Sequence, residues 1–586
     1  MAGNKKVAEI QEAFVQDGEA GFIAHLWDTY NNQRQEKIHE WLELRNYIFA
    51  TDTTSTSNSA LPWKNSTTLP KLCQIRDNLH SNYVSALFPN DSWLSWKGYS
   101  QQDSTKAKAK AIETYIRNKV RESRSRTEIS RLLYDYIDYG NAFASVHFEN
   151  NVKEMPDGSV VPTYIGPRIT RISPLDIVFN PLATDFQDTF KIVRSVKTLG
   201  ELKRLAQTDP DQSYWLDALA NREELRGRLG GYSKEDFDKA LGFQADGFGS
   251  MYEYIMGDYM EILTFYGDYH NSETGELEVN KVITIVDRSH TIKVEDIPSW
   301  LGHAPIYHVG WRYRSDNLWA MGPLDNLVGM QYRIDHLENL KADAMDLTVH
   351  PPLKIIGEVE QFVWGPGAEI HIDENGDVQE MGQNLNGIIT ASNEIQALED
   401  RMELYSGAPR EAMGVRTPGE KTALEVQTLA TAAGRIFQEK IATFEIELLE
   451  PVLNSMLETS KRNMSRSDVI RVMDDELGVE TFQTITKEDI TASGKLRPIG
   501  ARHFAKQAQD LQNLIGIMNS PVGQMVMPHT SGKEMTKFIN DVVGLHGYKL
   551  FSPNVAISEQ AETQSMMNQA QEDIEMQMNT PAEGAI

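Results

Sequence analysis

The sequence predicts an α+β fold whose strands pair as hairpins rather than in βαβ units, and three observations predict it. Apolar residues recur at helical spacing toward both ends of the chain, whereas the middle third turns to period-two alternation broken by turn residues. Between residues 322 and 464, two strongly helical segments bracket a short strand-like insert, and a longer helix follows a Gly/Pro loop. That order is hard to reconcile with an enzyme core.

In chain order, residues 1–59 read as a helical segment and linker, with Phe22, Leu26, Trp41, Leu44 and Ile48 available for a buried face and a polar stretch at 51–59. Residues 72–87 read as helix up to Phe88-Pro89-Asn90, and Trp93 and Trp96 follow in extended chain. The window 106–131 holds nine Lys/Arg against three Glu, including Arg117, Lys119, Arg121, Arg124 and Arg126. It is either a solvated helix face that offsets acidic neighbours or a contact for DNA or an acidic partner. From Asn141, residues Phe143, Ser145 and His147 alternate with Ala144, Val146 and Phe148, and Pro156-Asp157-Gly158 turns into 160–165. Residues 171–181 read as a strand framed by prolines, 199–257 as helical and irregular, and 261–265, 281–287 and 306–312 as strands.

Pro323 suits the first position of a helix over 323–348, because a proline there gives up an N–H that would be unpaired anyway. Leu327, Ile334, Leu337, Ala344 and Leu347 form its apolar stripe, while Arg333, Asp335, Glu338, Lys341 and Asp343 fall elsewhere on a rod of roughly 40 Å. Pro351 and Pro352 stop it. Leu353 and Ile355, then Phe362 and Trp364, then Ala368, Ile370 and Ile372 read as short strands, with a hairpin-type turn at Asn375-Gly376. A second helix, about 392–406, carries Ile395, Leu398, Met402 and Tyr405 on one face and ends at Gly407-Ala408-Pro409. Thr417-Pro418-Gly419-Glu420 is a capping box that opens a long helix through about Lys461, and Pro451 within it predicts a kink near Glu447. A mixed region reaches 489, residues 502–519 read as helix, and the segment after Leu550 has no Lys or Arg but six acidic residues and a run of methionines.

The length of 586 residues implies several domains, and 40% hydrophobic with 24% charged residues is the composition of an ordinary folded protein. No run approaches the roughly 18 apolar residues of a membrane helix, and Met1-Ala-Gly-Asn-Lys-Lys lacks the apolar core of a secretion signal, so neither insertion nor export is expected. The single Cys73 excludes an intramolecular disulfide and reads as a small buried hydrophobe. A net charge of −27 argues against a general nucleic-acid binder, yet a negative wall suits DNA that must slide without sticking. The chain has no phosphate loop, zinc helix or nucleophile elbow. Gly247-Phe-Gly249 lacks the third glycine of a dinucleotide site, since Tyr252 stands there. Asp373, Asn375 and Asp377 fit a hairpin turn better than a calcium loop, and His303, His308 and His336 show no ligand spacing. No catalytic residue, metal or cofactor is expected.

Several of these segments resemble the portal, or head-to-tail connector, proteins of tailed bacteriophages, most of all those of short-tailed phages. Gly302-His-Ala-Pro-Ile-Tyr-His-Val-Gly-Trp-Arg-Tyr-Arg314, Gly322-Pro-Leu-Asp325 and Asp343 to Pro352 resemble that family's approach to its first stem helix. Pro409 to Ala423 resembles its tunnel loop and helix start, and Tyr139 to Phe143 and Arg171 to Pro181 resemble wing strands. The resemblance covers about residues 60–515, and the order of the segments is more specific than any one of them.

It implies an α+β wing over 60–321, stem helices over 322–350 and 389–406, and a small β-containing clip over 351–388. A tunnel loop over 407–416, a long kinked helix with wing return over 417–490, a helical crown over 491–549 and an acidic, Met-rich tail over 550–586 would complete the chain. Phe362, Trp364, Ile370 and Ile372 would then serve adaptor docking. Arg410, Arg416 and Lys421 would touch DNA phosphates in the channel or else pair with Glu403, Glu411 or Glu420. The implied protein is a non-enzymatic ring, twelve-fold in the family, assembled in host cytoplasm and resident at the capsid vertex of the virion. Its partners would be double-stranded DNA, the terminase large subunit, a tail adaptor, and the major capsid and scaffolding proteins, with no membrane. The competing readings are an oligomeric virion scaffold that passes no DNA and a hydrolase with a noncontiguous site.

Overall fold

Apolar spacing produces the first helices of the structure, a computed structural model that describes residues 18–49, 65–88, 93–99, 106–154, 160–208, 212–229, 251–270, 275–357, 377–380, 385–406, 436–464, 467–473, 480–491 and 493–498. Helix α1 (Gly18–Gln33) buries Ile23 and Trp27, α2 (Gln35–Ile48) buries Trp41, Leu44 and Ile48, and α3 (Lys71–Leu87) buries Leu72, Ile75, Leu79 and Tyr83. Phe22 is not in the buried face but at its edge, 37% exposed, with its ring edge-on to Phe265 and Tyr269. Cys73 is not the buried hydrophobe expected: it is half-buried, 3.8 Å from Asp77 Oδ2, because α3 turns it off the Leu72–Ile75–Leu79 stripe.

After strand β1 (Leu94–Gly98), the basic window forms two helices, α4 (Lys106–Glu122) and α5 (Ser125–Asp138). The break falls at Arg124, whose φ of 55° is left-handed. Lys119 is buried, 2.6 Å from Asp468 and 2.9 Å from Ile165 O, so this cation is structural, whereas Arg121, Arg124 and Arg126 are exposed.

The middle of the chain builds two antiparallel sheets. Strands β2 (Asn141–Glu154) and β3 (Val160–Ile172) form a long hairpin. The proline-framed segment 171–181 is not one strand: Ser173 Oγ accepts from Leu175 N at 3.3 Å and caps a 3-10 turn at Pro174–Asp176, so β4 (Ile177–Phe179) starts afresh in the other sheet. Next come β5 (Lys191–Thr198), helices α6 (Leu199–Thr208), α7 (Tyr214–Leu229) and α8 (Met251–Met256), and strands β6 (Tyr259–His270), β7 (Leu277–Val286), β8 (His290–Asp296) and β9 (Ile306–Gly310). The sheet orders are β3-β2-β9 and β4-β5-β6-β7-β8.

Alternation along β6 puts neighbouring residues on opposite faces. Leu263 and Phe265 pack with Ile192, Ile283 and Ile285 against Ile23 and Trp27 of α1, while Met260 and Ile262 pack against Leu202, Trp215 and Ala218 of α6 and α7. Burying a side chain such as Phe265 completely contributes about 1.5–3 kcal/mol. A third core, Phe143, Ile172, Ile177, Phe179, Phe186 and Ile306, draws on both sheets. Here His308 stacks on Phe143 at 4.5 Å and donates Nε2–H to Asn141 Oδ1 at 3.0 Å, an oxygen that also accepts from Ala320 N. Complete burial pulls the His308 pKa down to about 3, so this histidine is a neutral core residue.

The strand expected over 306–312 divides after Gly310 into β9 and a separate hairpin, β10 (Arg312–Arg314) with β11 (Asn317–Met321). Helix α9 (Val328–Val349), strands β12 (Leu353–Ile356) and β13 (Asp377–Glu380), and helix α10 (Leu385–Tyr405) follow. Helical residues 436–444 lead through a π turn at Glu445–Leu449 into α11 (Glu450–Asn463). The last described elements are β14 (Ser467–Met473), β15 (Glu480–Thr486), α12 (Lys487–Ile490) and β16 (Gly494–Pro498).

Contacts divide the chain into two units: Met1–Leu87, Leu94–Asp468 and Ile485–Pro498 form one, and Phe88–Trp93, Val469–Thr484 and Ile499–Ile586 the other. Among its described residues the second unit holds most of the β14–β15 pair and an edge-on contact of Phe88 with Trp93 at 5.0 Å. The linker expected at 51–59, all but the first residues of the crown expected at 491–549, with the helix expected at 502–519, and the tail expected at 550–586 lie outside the described residues.

Candidate functional site: a braced helix pair

The helix expected to open at Pro323 opens later, at Val328. Asp325 Oδ2 accepts from Gly322 N at 3.0 Å and from Lys37 Nζ at 3.2 Å, which seats a 3-10 turn at Asp325–Leu327 between the proline and the helix. Just upstream, Gly140 has φ 67° and presses on Gly322; a Cβ there would stand 2.3 Å from Gly322 N, so no side chain fits. The helix ends at Val349, immediately before His350-Pro351-Pro352, and its 22 residues span about 33 Å.

Its buried face is not the expected apolar stripe. Leu327 and Ile334 are buried, but Leu337, Ala344 and Leu347 are only half-buried, and the deepest row is Gln331, Asp335, Asn339 and Asp343. These residues, four apart, hold residues 65–70 and the first turn of α3, which run the opposite way. Asp343 Oδ1 accepts from Asn65 N at 2.8 Å, Asn339 Oδ1 from Thr67 N at 2.7 Å, Asp335 Oδ1 from Leu69 N at 2.9 Å and Gln331 Oε1 from Leu72 N at 3.2 Å. Gln331 Nε2 returns a bond to Leu69 O at 2.6 Å.

The match is geometric. Four helical residues rise about 6 Å and two extended residues advance about 6.6 Å, so the first three rungs meet every second N–H, at Asn65, Thr67 and Leu69, and the fourth meets Leu72 N three residues on, where α3 begins. The row supplies the acceptors that a neighbouring strand would otherwise give.

The returning helix, α10, starts at Leu385 rather than near 389 or 392 and buries Ile395, Leu398 and Met402 as expected, whereas Tyr405 is 57% exposed. It packs along α9. Lys71 Nζ, at the end of the braced segment, lies 2.6 Å from Glu403 Oε1 with both side chains buried, so one stretch of chain ties down both helices. Tyr332, Met345, Val349, Ile389 and Leu404 nonetheless stand exposed on the pair.

Strands β12 and β13 pair antiparallel, from Leu353 opposite Glu380 to Ile356 opposite Asp377, and close the insert between the helices. Phe362, Trp364, Ile370 and Ile372 lie outside the described residues, as do Arg410, Arg416, Thr417, Glu420 and Lys421. The irregularity expected near Glu447 takes the form of the π turn, and Pro451, which has no N–H to offer Glu447 O, sits in the first turn of α11. Beside it opens a cleft of about 720 Å³ lined in part by Phe186, Tyr307, Tyr313, Asn317, Glu447 and Pro451. Tyr313 OH accepts there from Gly310 N at 2.7 Å and donates to Glu447 Oε2 at 3.2 Å.

Among the described residues no three His, Cys, Asp or Glu gather as metal ligands, and no helix is long and apolar enough to cross a membrane.

Burial pushes the Asp335 carboxyl up to about 6, against hydrogen bonds from Leu69 N and Gln331 that pull it down. The fold therefore binds this proton more tightly than the unfolded chain, whose carboxylates titrate near 4. The contribution favours folding fully below about pH 4 and is lost as pH rises to about 6. Amide-exchange protection at Leu69, corrected for intrinsic rates, is expected to fall between pH 4.5 and 6.5 in the natural protein and to stay flat there in Asp335→Asn. Equal pH profiles would contradict the assignment.

Neither the protein-family models nor the curated proteins compared with the chain match it.

Proposed function

We propose that this chain is the subunit of a phage portal, a non-enzymatic ring at a capsid vertex through which double-stranded DNA is packaged and later ejected. The observation that carries the reading is the order helix, hairpin, helix in α9, β12–β13 and α10, set on an α+β body and followed by a long interrupted helix. It is the order of stem, clip, stem and long helix that the resemblance implies. A helix pair braced on one side by a backbone strap, with apolar side chains exposed elsewhere, suits a wall that packs against copies of itself. The charge of −27 on each copy would line a passage that repels phosphates and so lets DNA slide.

In this reading the terminase large subunit supplies ATP hydrolysis, a tail adaptor docks on the insert at Phe362, Trp364, Ile370 and Ile372, and the capsid and scaffolding proteins surround the ring. Arg410, Arg416 and Lys421 would meet DNA within the channel. Native mass spectrometry of the purified protein is expected to give a closed multiple of 66.2 kDa, twelve in the family's pattern. A monomer at every concentration and salt tested would overturn the proposal.

A further inference from the structure

The two-stranded ribbon of β1 and β16 joins segments almost 400 residues apart and is sealed along both edges at a single rung. Trp96 N donates to Glu113 Oε1 at 2.7 Å on one edge. On the other, Leu496 N donates to Asn454 Oδ1 at 2.9 Å and Asn454 Nδ2 donates to Leu496 O at 3.0 Å. With both edges occupied, this ribbon is not built to accept another strand.

Its two faces differ completely. Leu94, Trp96 and Leu496 point inward and are buried. The outer face carries Ser95, Lys97, Lys495 and Arg497, with Lys97 directly opposite Lys495 and Ser95 opposite Arg497. Lys97 and Arg497 are exposed and have no ion-pair partner among the described residues, while Lys495 reaches Glu450. Like charges opposed across a ladder destabilise a hairpin; Glu450 accounts for Lys495, and Lys97 and Arg497 are the cations that the ribbon's folding leaves unexplained. The outer face has no aliphatic side chain; Tyr99, 75% exposed, continues its alternation just past the strand, where its N–H donates to Ser493 O, and a tyrosine hydroxyl also contacts phosphate. Lysine, arginine and serine together are the side chains that contact phosphodiester oxygens.

We propose that this face binds the phosphate backbone of nucleic acid, without reading its sequence. Because the chain carries −27 overall, contact is expected to stay local to this face and to weaken steeply with salt. The inference stands on the ribbon alone and does not require the ring.

The test is fluorescence anisotropy of the full-length protein with a labelled duplex of arbitrary sequence, from 20 to 200 mM NaCl. Releasing counterions from about three phosphates gives a log–log salt slope near −2.7, and Lys97→Gln/Lys495→Gln/Arg497→Gln is expected to flatten it by two to three units and to lower affinity at least tenfold at low salt. Lys97→Gln/Arg497→Gln, which spares the Lys495–Glu450 pair, guards against misfolding and is expected to lose about two units. Lys110→Gln/Arg121→Gln, on exposed positions of α4, is expected to change nothing. Unaltered binding in the double and triple variants, an equal loss in the α4 control, or displacement by polyglutamate as effective as by unlabelled duplex at equal charge would overturn the proposal.

Discussion

Asp287→Ala is expected to destabilise the five-stranded sheet by about 3–5 kcal/mol, the range found when one partner of a buried ion pair is removed. Arg222 is fully buried and its Nη1 lies 2.8 Å from Asp287 Oδ2, while Nη2 donates to Tyr254 O and Tyr259 O at 3.0 and 2.7 Å. The Nη1 N–H is not aligned on the carboxylate, so the contact is ionic in character. Tyr254 OH donates to the same carboxylate and accepts from Glu261 N at 2.8 Å. Truncating Asp287 would leave a guanidinium with no countercharge in a site closed to water, at the β7–β8 turn where Asp287 and Arg288 both hold positive φ. Amide exchange in β6, β7 and β8 reads the effect locally. Removing both charges with Arg222→Met/Asp287→Leu is expected to restore most of the loss, and a loss below about 1 kcal/mol in Asp287→Ala would contradict the account.

The second large effect is expected from Gln331→Leu/Asn339→Leu. Both residues are neutral and completely buried, so the change removes hydrogen bonds without relieving a buried charge. Thr67 N and Leu72 N lose their acceptors and Leu69 O its donor, at about 1–3 kcal/mol for the buried Leu72 N and less at the half-buried Leu69 and the exposed Thr67, which water can reach. Adjacent rungs couple, so the total need not be the sum. Exchange protection at Thr67 and Leu72 is expected to collapse while β6 and β7 keep theirs. Protection unchanged at Thr67 would show that the row does not hold the segment.

This brace marks where sequence reading stopped. Period-two alternation around Phe143 and the spacing of Ile395, Leu398 and Met402 gave strands and helices in their places, because those faces bury apolar groups against apolar groups. Asp335 and Asp343 read only as positions off the apolar stripe, since charged residues of an amphipathic helix ordinarily face away from the core. Their partner, the stretch from Asn65 into the first turn of α3, lies more than 250 residues away in sequence and satisfies them through its backbone, which no side-chain pattern announces. Strand β5 was passed over because Arg194 and Lys197 interrupt its apolar run, although Arg194 finds Glu261 at 3.5 Å. Pro323 misled in a different way: proline at the first helical position is favourable but not obligatory, and the Asp325 turn took precedence.

The central claim, that α9, β12–β13 and α10 form the wall of a DNA passage, is tested most directly by electron cryomicroscopy of the purified assembly. Rings are expected, with an opening wide enough for duplex DNA, the α9–α10 pair around that opening and the β12–β13 insert at one rim. A holeless assembly, or rings with the helix pair turned away from the opening, would contradict it.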